Sequence, residues 1–94
     1  MLLIRRVDGL SMVPAFMHGS IVVAWRFKRP RVGDVVIARH HRIEILKRVS
    51  ELRVGEVYLL GDNQAQSTDS RQFGWLPLQA IQAVVLTSAH NKEL

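Results

Sequence analysis

The sequence predicts a mainly β protein, a small folded or barrel-like antiparallel sheet. Three observations carry this expectation. Short apolar, β-branched runs recur, as in Ile21-Val22-Val23-Ala24-Trp25 and Val35-Val36-Ile37-Ala38. Glycine and proline punctuate them at Gly9, Pro14, Gly19, Pro30, Gly33 and Gly55. Helix signals are few. The chain has 94 residues, 48% of them hydrophobic, which suffices for one small core. The expected organisation is a single domain over 1–94, with a core of about 2–86 and a polar tail over 87–94.

Residues 2–7 read as a short strand running into Asp8-Gly9. Pro14 keeps Val13 out of helical geometry and removes a backbone donor, so Ser11 falls on a bend after that strand. Residues 21–25 form a buried strand, and Arg26 to Arg31 a basic turn containing Pro30. Val35 to Ala38 is a second buried strand. Arg39-His40-His41-Arg42 is a hairpin tip, and Ile43 to Val49 the returning strand. Val54-Gly55-Glu56 turns into strand 57–60. After a polar loop, Gln79 to Leu86 is compatible with strand or short helix, its Val84-Val85-Leu86 end favouring strand.

Composition excludes several functions. With no cysteine, neither disulfides nor thiolate zinc sites can form, which fits a reducing compartment. Met1-Leu2-Leu3-Ile4 precedes two arginines, far short of the ~20 apolar residues a bilayer span needs. The expected location is cytoplasmic, or membrane-associated if an upstream anchor was removed. The net charge of +5 is densest at Arg26, Lys28, Arg29 and Arg31 and around Arg39 to Arg42. It reads as a solubilising basic rim, or as attraction to an acidic peptide, membrane surface or nucleic acid. The four histidines show no metal-ligand spacing, and His40 and His41 are expected to point opposite ways. No metal and no cofactor are expected.

The longest run with almost no aliphatic residue is Gly61 to Gly74. Its serines, threonine and two aspartates suit a metal loop, a catalytic loop or a hydrogen-bonded surface loop. The metal reading is weak, because the glycine and final glutamate of the calcium-loop pattern are missing.

Alternation in strand 43–49 places Ile43, Ile45, Lys47 and Val49 on one face. A lysine on an apolar face either snorkels to water or is desolvated. Desolvation makes it a usable base. An ordinary lysine pKa of ~10.4 must fall by about 3, worth about 4 kcal/mol, for the amine to be neutral near pH 7. Ser11 supplies a hydroxyl that such a base can activate, and Ser67, Thr68 or Ser70 can aim the amine.

Taken together, these segments resemble the signal peptidase I family of serine peptidases, which use a Ser/Lys dyad. Ser11-Met12-Val13-Pro14 is similar to the family's Ser-Met-x-Pro nucleophile box, and Gly33-Asp34-Val35-Val36 to its middle box. Lys47-Arg48-Val49 is similar to its general-base box, and Gly61-Asp62-Asn63 through Ser67, Asp69-Ser70-Arg71 and Gly74 to its final box. The resemblance covers about residues 7–86. It implies Ser11 as nucleophile, Lys47 as general base and Ser67 as the hydroxyl that orients the lysine. Asp69 and Arg71 are implied to be a structural ion pair. The Ser11 backbone N–H becomes one oxyanion donor. A second donor found two residues upstream in some members is missing, because that position is Gly9. A substrate is implied to lie as an extended strand between the segment before Ser11 and the strand leading to Lys47. Val7, Gly9, Met12, Phe16, Ile45 and Leu46 are then candidate substrate-binding residues. Ser20 and Ala15-Phe16 depart from the family pattern. The family's anchor and its large second β domain find no counterpart in residues 1–94, so the expectation is a minimal catalytic core.

The resulting expectation is a serine endopeptidase that removes an N-terminal leader from a precursor protein. A short unanchored form resembles the maturation proteases of nickel-type superoxide dismutase. One alternative is a signal peptidase I whose anchor lies outside this chain. Another is a non-enzymatic β module binding nucleic acid through its basic rim, whereas the peptidase reading implies no nucleic-acid partner. A self-cleaving repressor domain is disfavoured, because such domains carry their cleavage segment upstream and little chain precedes Ser11.

Overall fold

A computed structural model describes residues 1–89. Among the described residues, seven strands form one antiparallel sheet: β1 (Leu2–Arg6), β2 (Ile21–Trp25), β3 (Val35–His40), β4 (Ile43–Arg53), β5 (Glu56–Leu60), β6 (Leu76–Pro77) and β7 (Ile81–Ala89). Their spatial order is β1-β2-β7-β3-β4-β5-β6. The mainly β expectation therefore holds.

The continuous apolar run of β3 has a direct cause. Val35 to Ala38 are all buried, because β3 is covered on both faces. Val36 and Ala38 enter one core cluster with Val49, Val57, Leu59, Leu76 and Val84. Ile37 points the other way, into a second cluster with Val7, Val22, Ala24 and Ala83. The alternation of a single strand thus feeds two small cores.

The hairpin tip is tighter than the four residues expected. Only His41 and Arg42 lie between β3 and β4, with φ of 50° and 66°. Two successive left-handed residues match the right-handed twist of the flanking strands. The two histidines do not diverge. Their rings sit 4.0 Å apart, and His40 stacks on Phe73 at 4.2 Å. Burial, then the neighbouring His41, pushes the His40 imidazole below its ordinary value.

Three further boundaries differ from expectation. β4 extends to Arg53, because its second half pairs with β5 after a register shift between Val49 and Glu51. The Gln79–Leu86 segment resolves into a 3-10 turn at Leu78–Ala80, then β7. Thr87, Ser88 and Ala89, expected in the tail, instead belong to β7 and pair with Val23, Val22 and Ile21. A central position between β2 and β3 supplies the partners that local polarity does not reveal. The rest of the expected tail, 90–94, lies outside the described residues, as does His90. No described helix is long and apolar enough to cross a membrane.

The sheet is strongly curled. β1 and β4 are separated by three strands, which in a flat sheet means about 19 Å. Yet Arg5 Nε donates to Glu44 Oε1 at 2.6 Å. The first half of the sheet therefore folds around the second core cluster and leaves an open groove between β1 and β4.

Candidate active site

The groove has a volume of about 280 Å³. Arg5 to Asp8 form one wall and Ile43 to Lys47 the other, with Val22 and Ile37 beneath and Ser11 and Met12 at one end. Both walls are unpaired strand edges. Val49 exchanges 2.8 Å backbone bonds with Gly33 and Asp34 on its β3 side. Strand alternation then turns the backbone groups of Glu44 and Leu46 to the opposite edge, where β5 begins pairing only at Arg48. Val7 bonds Gly19 and Ser20 at 2.8 Å, so Arg6 and Asp8 likewise turn their backbone outward.

Lys47 and Ser11 both line this groove. Lys47 is 5% exposed, on the same face as buried Val49. Its Nζ donates to Ser67 Oγ at 3.0 Å. Burial lowers the Lys47 pKa; Asp69 opposes this and Arg71 adds to it. The Ser67 proton goes to Asp69 Oδ2 at 2.8 Å. With its only proton committed there, Ser67 presents lone pairs to Lys47. The amine is thereby gripped by one N–H, and its remaining valences stay free to face the groove.

Asp69 is fully buried and organises the polar loop. It receives Gly61 N–H at 2.8 Å, Arg71 N–H at 3.1 Å and Arg71 Nε at 2.9 Å. Burial alone raises its pKa. The bonds from Arg71, Gly61 and Ser67 outweigh that and hold it well below the usual carboxylate range. The expected Asp69–Arg71 ion pair is thus present. Asp69 also caps a single helical turn, α1 (Ser70–Phe73), in a reciprocal capping box with Gln72. Gly74 ends that turn at φ 81°.

The bend that carries Ser11 is tied to the same loop. Asn63 N–H donates to the Ser11 carbonyl at 2.8 Å, and Asn63 Nδ2 to the Leu10 carbonyl at 3.1 Å. Asp62 N–H meets Met12 Sδ at 3.4 Å, and the Val13–Pro14 peptide is cis. Asp62 also accepts a two-pronged bond from Arg48, 2.8 Å on each arm, while Arg48 Nη1 reaches the Gly33 carbonyl at 2.8 Å. Side-chain bonding to Asp62 raises the Arg48 pKa, so this guanidinium stays charged. One residue beyond Lys47, Arg48 ties three of the four sequence boxes together.

Sequence reasoning placed Gly61, Asp62, Asn63 and Arg48 in the boxes, but gave none of the four a part in holding the Ser11 and Lys47 segments together. It weighed Asp62 and Asn63 only as metal-loop oxygens. Gly61 is the tightest of the four. A Cβ there would overlap Ser67 Oγ, sit 2.5 Å from Ser67 Cβ and come within 2.9 Å of the Ser11 carbonyl oxygen. The only available signal was their place inside the boxes.

Of the substrate-binding candidates, Val7, Met12, Ile45 and Leu46 line the groove, but Gly9 and Phe16 do not. Phe16 instead packs against the second core cluster. Gly9 lacks a side chain, and its N–H donates to His18 Nδ1 at 2.9 Å. Neither a hydroxyl nor a free amide is therefore offered at that position. No group of His, Asp and Glu suited to a metal occurs among the described residues.

A curled β sheet whose groove holds a serine and a buried lysine suits the Ser/Lys class of hydrolases. Residues 2–76 match the model of the Peptidase S24-like family, and the chain belongs to that family. The family lies in the clan of Ser/Lys-dyad peptidases, which includes signal-peptidase-like and LexA C-terminal domains. Membership implies serine peptidase activity and a protein substrate. The signal peptidase I resemblance thus holds at the level of the clan. No curated protein matches the chain.

Proposed function

We propose that the protein is an endopeptidase in which Ser11 attacks and Lys47 is the general base, and that it removes a leader from a precursor. The observation that carries this is a desolvated, Ser67-bound lysine lining the same groove as Ser11, a groove whose two walls are unpaired strand edges. A substrate segment laid along the groove bonds both edges as an added strand. It closes the curled half of the sheet into a barrel and presents its carbonyl to Ser11.

Neutral Lys47 takes the Ser11 hydroxyl proton as Oγ adds to the carbonyl carbon. The Ser11 N–H stabilises the oxyanion. Collapse breaks the C–N bond, and protonated Lys47 returns the proton to the leaving amine. Water, deprotonated by Lys47, then adds to the acyl carbonyl; the bond to Ser11 Oγ breaks, and Lys47 returns the proton to that oxygen as the acid departs. Ser67 keeps Lys47 aimed throughout.

Within this reading, nickel-type superoxide dismutase precursors are the first substrates to test. Every described strand belongs to one sheet, which suits a minimal core rather than a form with an inserted second β domain. Incubation with such a precursor, followed by mass spectrometry, is expected to give a leader-free product that Ser11→Ala does not yield. Cleavage of secretory precursors alone would favour the signal peptidase alternative.

The family match favours one second reading, cleavage of a segment in the same polypeptide. First-order cleavage of a longer chain, independent of protein concentration, supports that reading. Cleavage of a separate precursor supports ours.

A further inference from the structure

The groove changes character along its length. Beside Ser11 its floor is apolar, made by Val7, Leu46, Val22 and Ile37. Two residues further along each wall, on the same faces, stand Arg5 and Glu44. They bond across the groove at 2.6 Å. A strand lying between the walls directs alternate side chains at this floor. One meets the apolar patch, and the next on that face meets the ion pair.

The two partners are not held equally. Arg5 is 43% exposed and sits on the edge strand β1, its other contact being Nη1 to the adjacent Ile4 carbonyl at 3.0 Å. Glu44 is 26% exposed and paired to Arg39 across β3 and β4, with Arg39 Nη2 at 3.9 Å from Oε2. In the amide orientation that satisfies both neighbours, Gln82 donates to Glu44 Oε2 at 3.0 Å and accepts from Arg39 Nε at 2.9 Å. The carboxylate is anchored from β3 and β7. The arginine reaches the carboxylate on a long stem from a strand with one neighbour.

We propose that Glu44 is a specificity-determining acceptor for a basic side chain, with Arg5 as the resident stand-in that a substrate lysine or arginine displaces. The preferred substrate then carries a small or apolar residue over Val7 and Leu46 and a basic residue two positions away, over Glu44. An acidic residue there meets the anchored carboxylate and is rejected, which gives discrimination through repulsion as well as attraction. This inference rests on the reading of the groove as a strand-binding site.

The test separates binding from cleavage. Fluorescein-labelled peptides of alanine and threonine carry one valine, with lysine, glutamine or glutamate walked along the positions around it. Affinity for Ser11→Ala protein is read by anisotropy. Lysine two residues to one side of the valine is expected to bind about tenfold tighter than glutamine, with glutamate weaker still. Glu44→Gln should bring lysine and glutamine within about twofold, and Arg5→Ala should tighten the lysine peptide severalfold. Glu44→Lys should invert the preference towards glutamate, with circular dichroism checking that each variant is folded. Equal affinities, a preference for glutamate, a preference that survives Glu44→Gln, or no peptide binding at all overturns the proposal. Cleavage of the same peptides by the unaltered protein tests the peptidase reading separately. Selective binding without cleavage rejects that reading alone, and cleavage without lysine preference rejects only this one.

Discussion

Lys47 donates to Ser67 at 3.0 Å, and Ser67 cannot reverse that bond because its own proton is held by Asp69 at 2.8 Å. The direction of a single hydroxyl therefore fixes where the lysine nitrogen points.

Activity is expected to rise with pH and to reach half its plateau below the ordinary lysine range. Burial lowers the Lys47 pKa, and the proposed base acts as the neutral amine. A pH–kcat/KM profile on any cleaved precursor measures it; a flat profile excludes a lysine base. Ser67→Ala should lower kcat about 10- to 100-fold with little change in KM, since it misaims the amine without touching substrate.

Lys47→Met should abolish cleavage while leaving the protein folded and more heat-stable at neutral pH. A base whose pKa is lowered by folding binds its proton more tightly in the unfolded chain, so its protonation favours unfolding. The lysine therefore costs stability below its folded pKa, and the cost fades as pH rises towards the unfolded value. Removing the buried charge should raise Tm by several degrees, on the order of 1 kcal/mol, after the loss of the Ser67 bond. Thermal melts at pH 7 and pH 10 should show the gain shrinking at the higher pH.

Asp69→Asn should destabilise the fold by about 2–4 kcal/mol, because Arg71, Ser67 and the Gly61 amide lose a fully buried charged acceptor. For a carboxylate whose pKa is depressed in the fold, the contribution is complete above the unfolded value near 4 and is lost as pH falls below it. Urea melts between pH 7 and pH 3 should therefore show the wild type losing stability towards the acid end more steeply than the variant.

Gly61→Ala should cost activity at least 100-fold and stability by about 1–3 kcal/mol. The added methyl overlaps Ser67 and crowds the Ser11 carbonyl, so the two sides of the site must part. Chemical-shift changes at Ser11 and Ser67, with the β2–β7 strands unmoved, would locate the damage. An active, equally stable variant contradicts this packing.

The boxes were legible because their residue types are chemically unusual where they stand. Lys47 on an apolar face and Ser11 on a proline bend each break a local pattern. Asn63 and Arg48 break none, and their work lies in bonds to Leu10, Ser11, Gly33 and Asp62 that cross up to 53 positions of sequence. Phe16 was misplaced because aromatic and apolar residues look alike as core or as pocket wall. Its position was settled by where the bend after Ser11 turned it.

The sequence by itself determined a β chain with buried central strands, a hairpin within Arg39 to Arg42 and the identity of the chemical groups. Period-two alternation and turn chemistry are local, and so can be read locally. Only the tertiary structure decided that β7 inserts between β2 and β3, that the sheet curls, and that Arg5 comes to lie against Glu44. Strand order and curvature depend on which distant edges find each other. The groove is a property of those pairings.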